Sequence, residues 1–157
     1  MAKADFEGAN LSNVNIDKSC LSKAILKQCG LTSTKISSSD IIEGDWSGSK
    51  GVALAFSNSN LRKGAFCEVR WLTGTMESCD FSDSNFSGAF LSDIDFTNSN
   101  LSGCNFEGAT FEGCIVDQAN FKGANINGCT FKNTDASSDN LSTAIGVPII
   151  ESFDTVH

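Results

Sequence analysis

The side chains that could act in acid–base or nucleophilic catalysis are few and far apart. The single histidine is His157, at the end of the sequence, and there is no tyrosine. Serines are numerous, but a serine nucleophile needs a base, and no serine has a plausible histidine partner. The sequence contains no C-x-x-C, H-E-x-x-H, P-loop or G-x-G-x-x-G motif. We therefore predict no catalytic residue and no cofactor, and we expect the protein not to be an enzyme.

Carboxylates and cysteines are the remaining candidates for metal binding. Asp93 and Asp95 could pair on a surface, although acidic residues in turns are usually solvated. The seven cysteines are scattered along the chain, whereas a metal site needs its ligands clustered. The sequence therefore predicts no metal site.

The elements that carry these side chains follow a period of five residues. Every fifth residue from Phe6 to Phe131 is apolar, with Gly51 as the exception. A helix repeats at about 3.6 residues and a strand at about 2, so neither explains this spacing. A fixed period kept over most of a chain is typical of a solenoid.

The positions around each apolar centre are also specialised. Two residues earlier the side chain is usually small, as at Ala9 and Ala109, and the residue directly before the centre is often Asp or Asn. Glycine is frequent two residues after the centre. Since Asn, Asp and Gly favour turns, each unit supplies one large and one small inward side chain and then a corner.

The segments ADFEGANLSN, SNFSGAFLSDIDFTNSNLSGCNF and ANFKGANINGCTF resemble the pentapeptide-repeat family, whose motif is Ala–Asp/Asn–Leu/Phe–any–any. The resemblance covers about residues 4–142. It implies an all-β fold, a right-handed quadrilateral β-helix with four pentapeptides per coil and about six to seven coils. We assign residues 1–142 to this β-helix and residues 143–157 to a C-terminal capping tail.

The cysteines do not fall in stacking register in such a coil. Stacked neighbours would lie twenty residues apart, and no two cysteines do. Cys20 and Cys67 occupy outward positions, and the others occupy the small inward position. We expect seven free thiols in a reducing compartment, hence a cytoplasmic protein, although a removed signal or transit peptide remains compatible with the sequence. The inward set is Cys29, Cys79, Cys104, Cys114 and Cys129.

Negative charge is concentrated in the second half of the chain. The net charge is −8, and residues 64–121 contain nine carboxylates against the single cation Arg70. This balance argues against direct nucleic-acid binding, which depends on Lys and Arg at phosphates. It would suit a partner with a basic groove. No apolar run is long enough to span a membrane.

Outward positions on neighbouring coils combine apolar and cationic side chains. A twenty-residue coil places Val52 beside Leu72, and it places Arg70 between Lys50 and Phe90. A contiguous apolar patch often marks a contact site, and arginine can stack on a phenylalanine ring. Two interpretations stay open, a stabilising surface cluster and a partner-binding surface formed by Val52, Arg70, Leu72 and Phe90.

The repeat degrades in the middle of the chain. Gly51 leaves a gap in the column of centres that also contains Trp71, one coil away. One interpretation is volume compensation, with the Trp71 ring leaning toward the vacant space. The other is a locally widened coil that shapes a binding surface.

The two ends of the solenoid need protection, because they expose backbone edges. The tail is apolar enough to cap the last coil, and Pro148 argues against one continuous helix there. No comparable cap precedes Phe6, so we expect a weak homodimer formed by two-fold pairing of the N-terminal tips. The apolar tail residues are Ile145, Val147, Pro148, Ile149, Ile150 and Phe153.

The sequence favours a protein-binding or scaffold module that acts through the surface of its rod, with an unidentified protein partner. The alternative comes from the resemblance, because some family members imitate duplex DNA and modulate DNA gyrase or topoisomerase. The acidic half of the chain fits that alternative. Those members generally dimerise through a C-terminal helix and often contain loops, and this chain has neither feature clearly.

Overall fold

The structure, a computed structural model, describes residues 3–136 and 141–152. These residues form a parallel β-solenoid of about seven turns, which confirms the predicted fold class. Eight strands form one sheet in chain order, so each strand pairs with the next along the sequence. The strands are β1 (Asn15–Asp17), β2 (Lys35–Ser37), β3 (Lys50–Ser57), β4 (Arg70–Glu77), β5 (Phe90–Asp95), β6 (Thr110–Glu112), β7 (Thr130–Lys132) and β8 (Ile149–Glu151).

The pairing register confirms the twenty-residue coil. Ile16 pairs with Ile36 between β1 and β2, and Ile36 pairs with Phe56 between β2 and β3. Isolated bridges repeat the same offset on other sides of the rod, as between Asp5 and Ile25. Because every coil repeats at the same residue number, side chains that are twenty residues apart stack in columns.

The corners explain why turn-forming residues recur. The N–H of Ala9 donates to the carbonyl of Phe6 at 2.8 Å, which closes a tight turn, and this bond recurs around the coil. The N–H of Glu7 donates to the Asp5 side-chain oxygen at 3.0 Å, so the residue before the centre braces the corner. Corner residues such as Asn13, at 63°, have positive φ.

The core is a continuous stack of the apolar centres. Phe66 and Phe86 stack with their ring centroids 4.6 Å apart, and Phe86 and Phe106 stack at 5.2 Å. From Leu26 to Phe131 the described apolar centres are fully buried. Those of the first coil are only half-buried, because one coil rather than two covers them: Phe6, Leu11, Ile16 and Leu21.

Two leucines line the space beside Gly51. A Cβ at Gly51 would lie 3.0 Å from the Leu31 Cβ and 3.0 Å from the Leu54 Cδ2, so these two side chains occupy part of the gap. The Trp71 Nε1 donates to the Ser49 Oγ at 3.2 Å, so the Trp71 ring reaches toward the coil of Gly51, and it also meets Trp46 edge to face at 6.3 Å. Neighbouring side chains therefore compensate for the volume that Gly51 lacks.

Residues 141–152 extend the solenoid. Ile145 bridges to Asn125, and β8 pairs with β7 through Thr130 and Ile149. The sequence offset between Thr130 and Ile149 is one residue smaller than in the other coils, so the last coil is one residue shorter. This segment covers the backbone edge of β7, yet Ile150 remains 57% exposed and its apolar neighbours are exposed as well. Phe153 lies outside the described residues.

Candidate functional site

The four predicted contact residues come together on one side of the rod. Strands β3, β4 and β5 place Arg70 between Lys50 and Phe90, and they pair Val52 with Leu72. We call these five residues the basic–apolar patch: Lys50, Val52, Arg70, Leu72 and Phe90. The patch therefore spans three neighbouring coils.

Arg70 is held in place by an aromatic ring. Its guanidinium carbon lies 4.4 Å from the centroid of the Phe90 ring, a cation–π geometry. Val52 is 42% exposed, and Leu72 and Phe90 are half-buried. Stacking fixes the plane of the guanidinium and leaves its N–H edge available to a carboxylate.

The basic–apolar patch has an unbalanced charge. Lys50 and Arg70 are cross-strand neighbours, an arrangement that is destabilising for like charges. Neither has a carboxylate within 4.0 Å among the residues that the structure describes, although Lys27 and Asp45 pair at 3.2 Å and Lys132 donates to Glu112 at 2.6 Å. Apart from the Phe90 ring beside Arg70, nothing in the described residues offsets this pair of like charges, so both cations stay available to a carboxylate.

A second patch, on the adjacent side of the rod, was missed by the sequence interpretation. Ile115 is 49% exposed and bridges to Asp95 of the preceding coil. The N–H of Cys114 donates to the Thr134 hydroxyl at 3.0 Å, which brings Asp135 beside Ile115 from the following coil. We call Asp95, Ile115, Asp117 and Asp135 the acidic–apolar patch.

The acidic–apolar patch could have been found from the sequence. Ile115 stands directly before the centre Val116, a position where Asp or Asn is usual. Asp95 and Asp135 lie twenty residues before and after it. An apolar residue at a polar position between two aspartates was the available signal.

The buried cysteines are unsuited to nucleophilic chemistry. All seven cysteines are free thiols in the structure, with Cys20 exposed. Burial raises the pKa of Cys104 to about 12 and that of Cys79 to about 11. The Cys104 Sγ donates a hydrogen bond to the carbonyl of Phe81 at 3.0 Å. These thiols are therefore protonated at neutral pH and act as small apolar residues of the core.

The surface of the rod has no concave site. No ligand-sized cavity opens in residues 3–136 and 141–152. Within the same ranges, no group of three or more Cys, Asp, Glu or His side chains is placed to hold a metal ion. Among the described residues, no helix has the length and apolar character needed to cross a bilayer.

The sequence matches a family model described as pentapeptide repeats. Eight copies match, over residues 1–28, 79–118 and 104–142. Two stretches are unmatched, residues 29–78 and 143–157. The first includes Lys50, Val52, Arg70 and Leu72, so four members of the basic–apolar patch lie where the repeat is least regular. No curated protein gives a significant sequence match to the chain.

Solved structures with TM-scores of 0.50 or higher share the fold. A trypsin-treated form of QnrB1, a plasmid-mediated fluoroquinolone resistance protein, is 15% identical, covers 96% of this chain and 77% of that chain, and gives a TM-score of 0.56. A second trypsin-treated form, also 15% identical, covers 97% of this chain and 79% of that chain, with a TM-score of 0.50. A pentapeptide-repeat protein of the Arabidopsis thaliana thylakoid lumen is 22% identical, covering 90% of this chain and 81% of that chain, with a TM-score of 0.43. At these identities the likeness concerns the fold alone.

Proposed function

Since the chain belongs to the pentapeptide-repeat family, we propose that it is a non-enzymatic scaffold that binds a protein partner through the basic–apolar patch. The observation that carries the proposal is the stacking of Arg70 on Phe90 at 4.4 Å, beside the exposed Val52. Arginine and aromatic residues are enriched at protein–protein interfaces. The patch provides them on a rigid sheet.

The remaining chemistry of the rod supports a binding role. Burial raises the pKa of Cys114 and Cys129 to about 12, which removes their thiolates at neutral pH. The surface of residues 3–136 and 141–152 offers no enclosure that could exclude water from a reaction. Both features favour recognition over catalysis.

The charge of the rod favours a protein over a nucleic acid as the partner. Lys50 and Arg70 are two cations in a chain of net charge −8, and Asp93 and Glu112 stand on the same side of the solenoid. Affinity for DNA requires many phosphates to be neutralised together. A protein segment with a carboxylate next to an aliphatic residue can pair with the cations of the patch and cover its apolar side chains. It needs fewer charged contacts than DNA does.

Site-specific photo-crosslinking in the source cells tests the proposal. A photoreactive residue at Ser92, which pairs with Leu72, should capture a partner that the same residue at Ser102, outside the patch, does not capture. The captured protein should be lost when Leu72→Ser and Phe90→Ser are added. Equal capture from both positions, or capture that survives the double substitution, would contradict the proposal.

A DNA-mimicking modulator of gyrase or topoisomerase is the second candidate. It is favoured by the position of Glu77, Asp95, Asp117 and Asp135 along one side of the later coils, with no ion pair to a cation among the described residues. Such a row of carboxylates would suit a basic DNA-binding groove. A gyrase supercoiling assay, with and without a fluoroquinolone, separates the candidates, since a scaffold unrelated to gyrase should change neither reading.

A further inference from the structure

We propose that the basic–apolar patch of one copy binds the acidic–apolar patch of a second copy, so that rods associate side to side. The inference rests on the proposed function, since it names the partner of the surface that binds protein. The partner is a second copy of this chain, because the complementary surface is part of the same chain.

Each of the two patches contains one exposed aliphatic side chain. Within residues 3–136, Val52 and Ile115 are the large apolar side chains that the structure leaves exposed, at 42% and 49%. An isolated exposed aliphatic residue means little. These two, however, each belong to one of the two patches, beside its charged side chains.

The charges around these residues are opposite. Val52 lies beside Lys50 and next to the column that contains Arg70. Ile115 lies between aspartates of the neighbouring coils, and Asp117 is two residues farther along the same coil. None of these charged groups has an ion-pair partner within 4.0 Å in the described part of the chain. Each patch therefore carries the charge that the other needs.

The spacing of the two patches also matches. Neighbouring coils are about 4.8 Å apart, and outward residues two positions apart on a strand are about 6.6 Å apart. Ile115 can therefore lie against Val52 and Leu72 while a carboxylate on either side of it reaches Arg70. The stacked guanidinium presents the planar fork that a carboxylate binds with two hydrogen bonds.

One molecule cannot satisfy its own patches. The basic–apolar patch lies on the side of the solenoid formed by residues 50–52, 70–72 and 90–92, and the acidic–apolar patch lies on the next side around a corner. The contact is consequently heterologous, since two different surfaces meet. A copy that binds through one patch leaves its other patch free, so assembly continues beyond a dimer. The net charge of −8 on every copy opposes this assembly and keeps it weak.

Two complementary variants test the arrangement by sedimentation velocity. Arg70→Glu with Leu72→Ser removes one patch, and Ile115→Ser with Asp117→Asn removes the other. Wild type should show a sedimentation coefficient that rises with concentration past the dimer value. At concentrations below those at which the N-terminal tips pair, each variant alone should associate at least about tenfold more weakly, whereas an equal mixture should form a one-to-one dimer that grows no further. All the changed side chains point outward, and an unchanged melting temperature checks the fold.

A matched control changes the same charge elsewhere. Lys63→Glu with Ile42→Ser alters a cation and an aliphatic residue on another side of the rod, and it should associate like wild type. If Arg70→Glu lowers the melting temperature, Arg70→Gln replaces it, with the same direction expected.

Three results would overturn the inference: a wild type that stays monomeric up to about 1 mM, variants that associate as wild type does, or a mixture that remains monomeric although wild type associates. The proposed function fails separately. If self-association is absent but crosslinking from Ser92 captures another protein and is lost with Leu72→Ser and Phe90→Ser, the patch binds protein and only the identity of the partner assigned here is wrong.

Discussion

At the scale of single residues, the apolar centres hold the rod together. Phe106 is completely buried and contacts the rings of Phe86, Phe111 and Phe121 at centroid distances of 5.2 to 5.9 Å. A side chain in this position cannot reach water without opening the coil. A polar substitution at Phe106 should therefore lower the free energy of unfolding far more than one at its outward neighbour Glu107.

Phe106→Asp should prevent stable folding. The substitution removes a large aromatic side chain and buries a carboxylate without a partner, at a cost of about 4 kcal/mol or more. Circular dichroism during thermal melting measures the effect. Glu107→Ala, at the exposed neighbour, serves as the control and should change the free energy of unfolding by about 0.5 kcal/mol or less. A melting temperature unchanged by Phe106→Asp would contradict the burial of this column.

The thiols should divide into two classes of reactivity. At pH 8 a native alkylation should modify Cys20 and Cys67 quickly and the five buried cysteines slowly, because burial raises the pKa of the latter and excludes the reagent. Denaturing, non-reducing alkylation followed by mass spectrometry should then find all seven modified. Recovery of an intact disulfide would show that the compartment is oxidising.

The same burial predicts that stability declines in alkali. Cys104 has a pKa near 9.0 when unfolded and about 12 when folded. The folded state therefore binds its proton more tightly, and the stabilisation is fully present below pH 9 and is lost as the pH rises toward 12. Replacing Cys104 by Ala should flatten the alkaline limb of a plot of unfolding free energy against pH.

At the scale of elements, large and small residues alternate along one inward column. Leu54 and Ile94 fill the position that is usually small, and Gly74 between them is paired with both. Gly74 has a φ of 153°, and a Cβ there would lie 2.4 Å from the Leu54 carbonyl oxygen. The long strands β3 and β4 therefore depend on one glycine.

Gly74→Ala should destabilise the rod by about 2–4 kcal/mol, because the new methyl group meets backbone that cannot move aside. Gly88→Ala provides a matched control. Its φ is 65°, but its Cβ would lie 3.6 Å from the nearest atom, the Glu68 Cγ, so the cost should be near 1 kcal/mol. Equal losses of unfolding free energy in urea titrations of the two variants would contradict the clash.

The elements also show which features the sequence could predict. The period of five identified the buried column, since a solenoid needs one inward side chain per unit, and the twenty-residue register placed Arg70 beside Phe90. The contact of Leu54 with the Gly51 gap was not predictable, because it depends on which neighbouring volume is closest in space. Ile115 was overlooked because the search for an apolar surface considered only the columns of Val52 and Phe90, and the acidic residues around Ile115 were interpreted only through their charge. The last coil is one residue shorter than the others, and the sequence could not show this because the period of five ends at Phe131, before β8.

At the scale of the whole molecule, the ends differ from the body of the rod. In the first coil, Phe6 and Leu11 are half-buried, and no strand among the described residues pairs with the edge that faces away from the second coil. At the other end, β8 pairs with β7 and adds exposed aliphatic side chains. Association through an end and association through the patches are therefore distinct processes that different variants can separate.

We expect the N-terminal tips to form a weak two-fold dimer, because pairing two copies of the first coil buries Phe6, Leu11 and Ile16 and occupies both backbone edges. Sedimentation velocity should be measured on Arg70→Glu with Leu72→Ser, in which association through the basic–apolar patch is removed. A dimer should then remain at high micromolar concentration, and it should survive deletion of residues 145–157. A strictly monomeric double variant would reject the tip dimer while leaving the patch contact untouched, and a dimer abolished by the deletion would move the contact to the C-terminal coil.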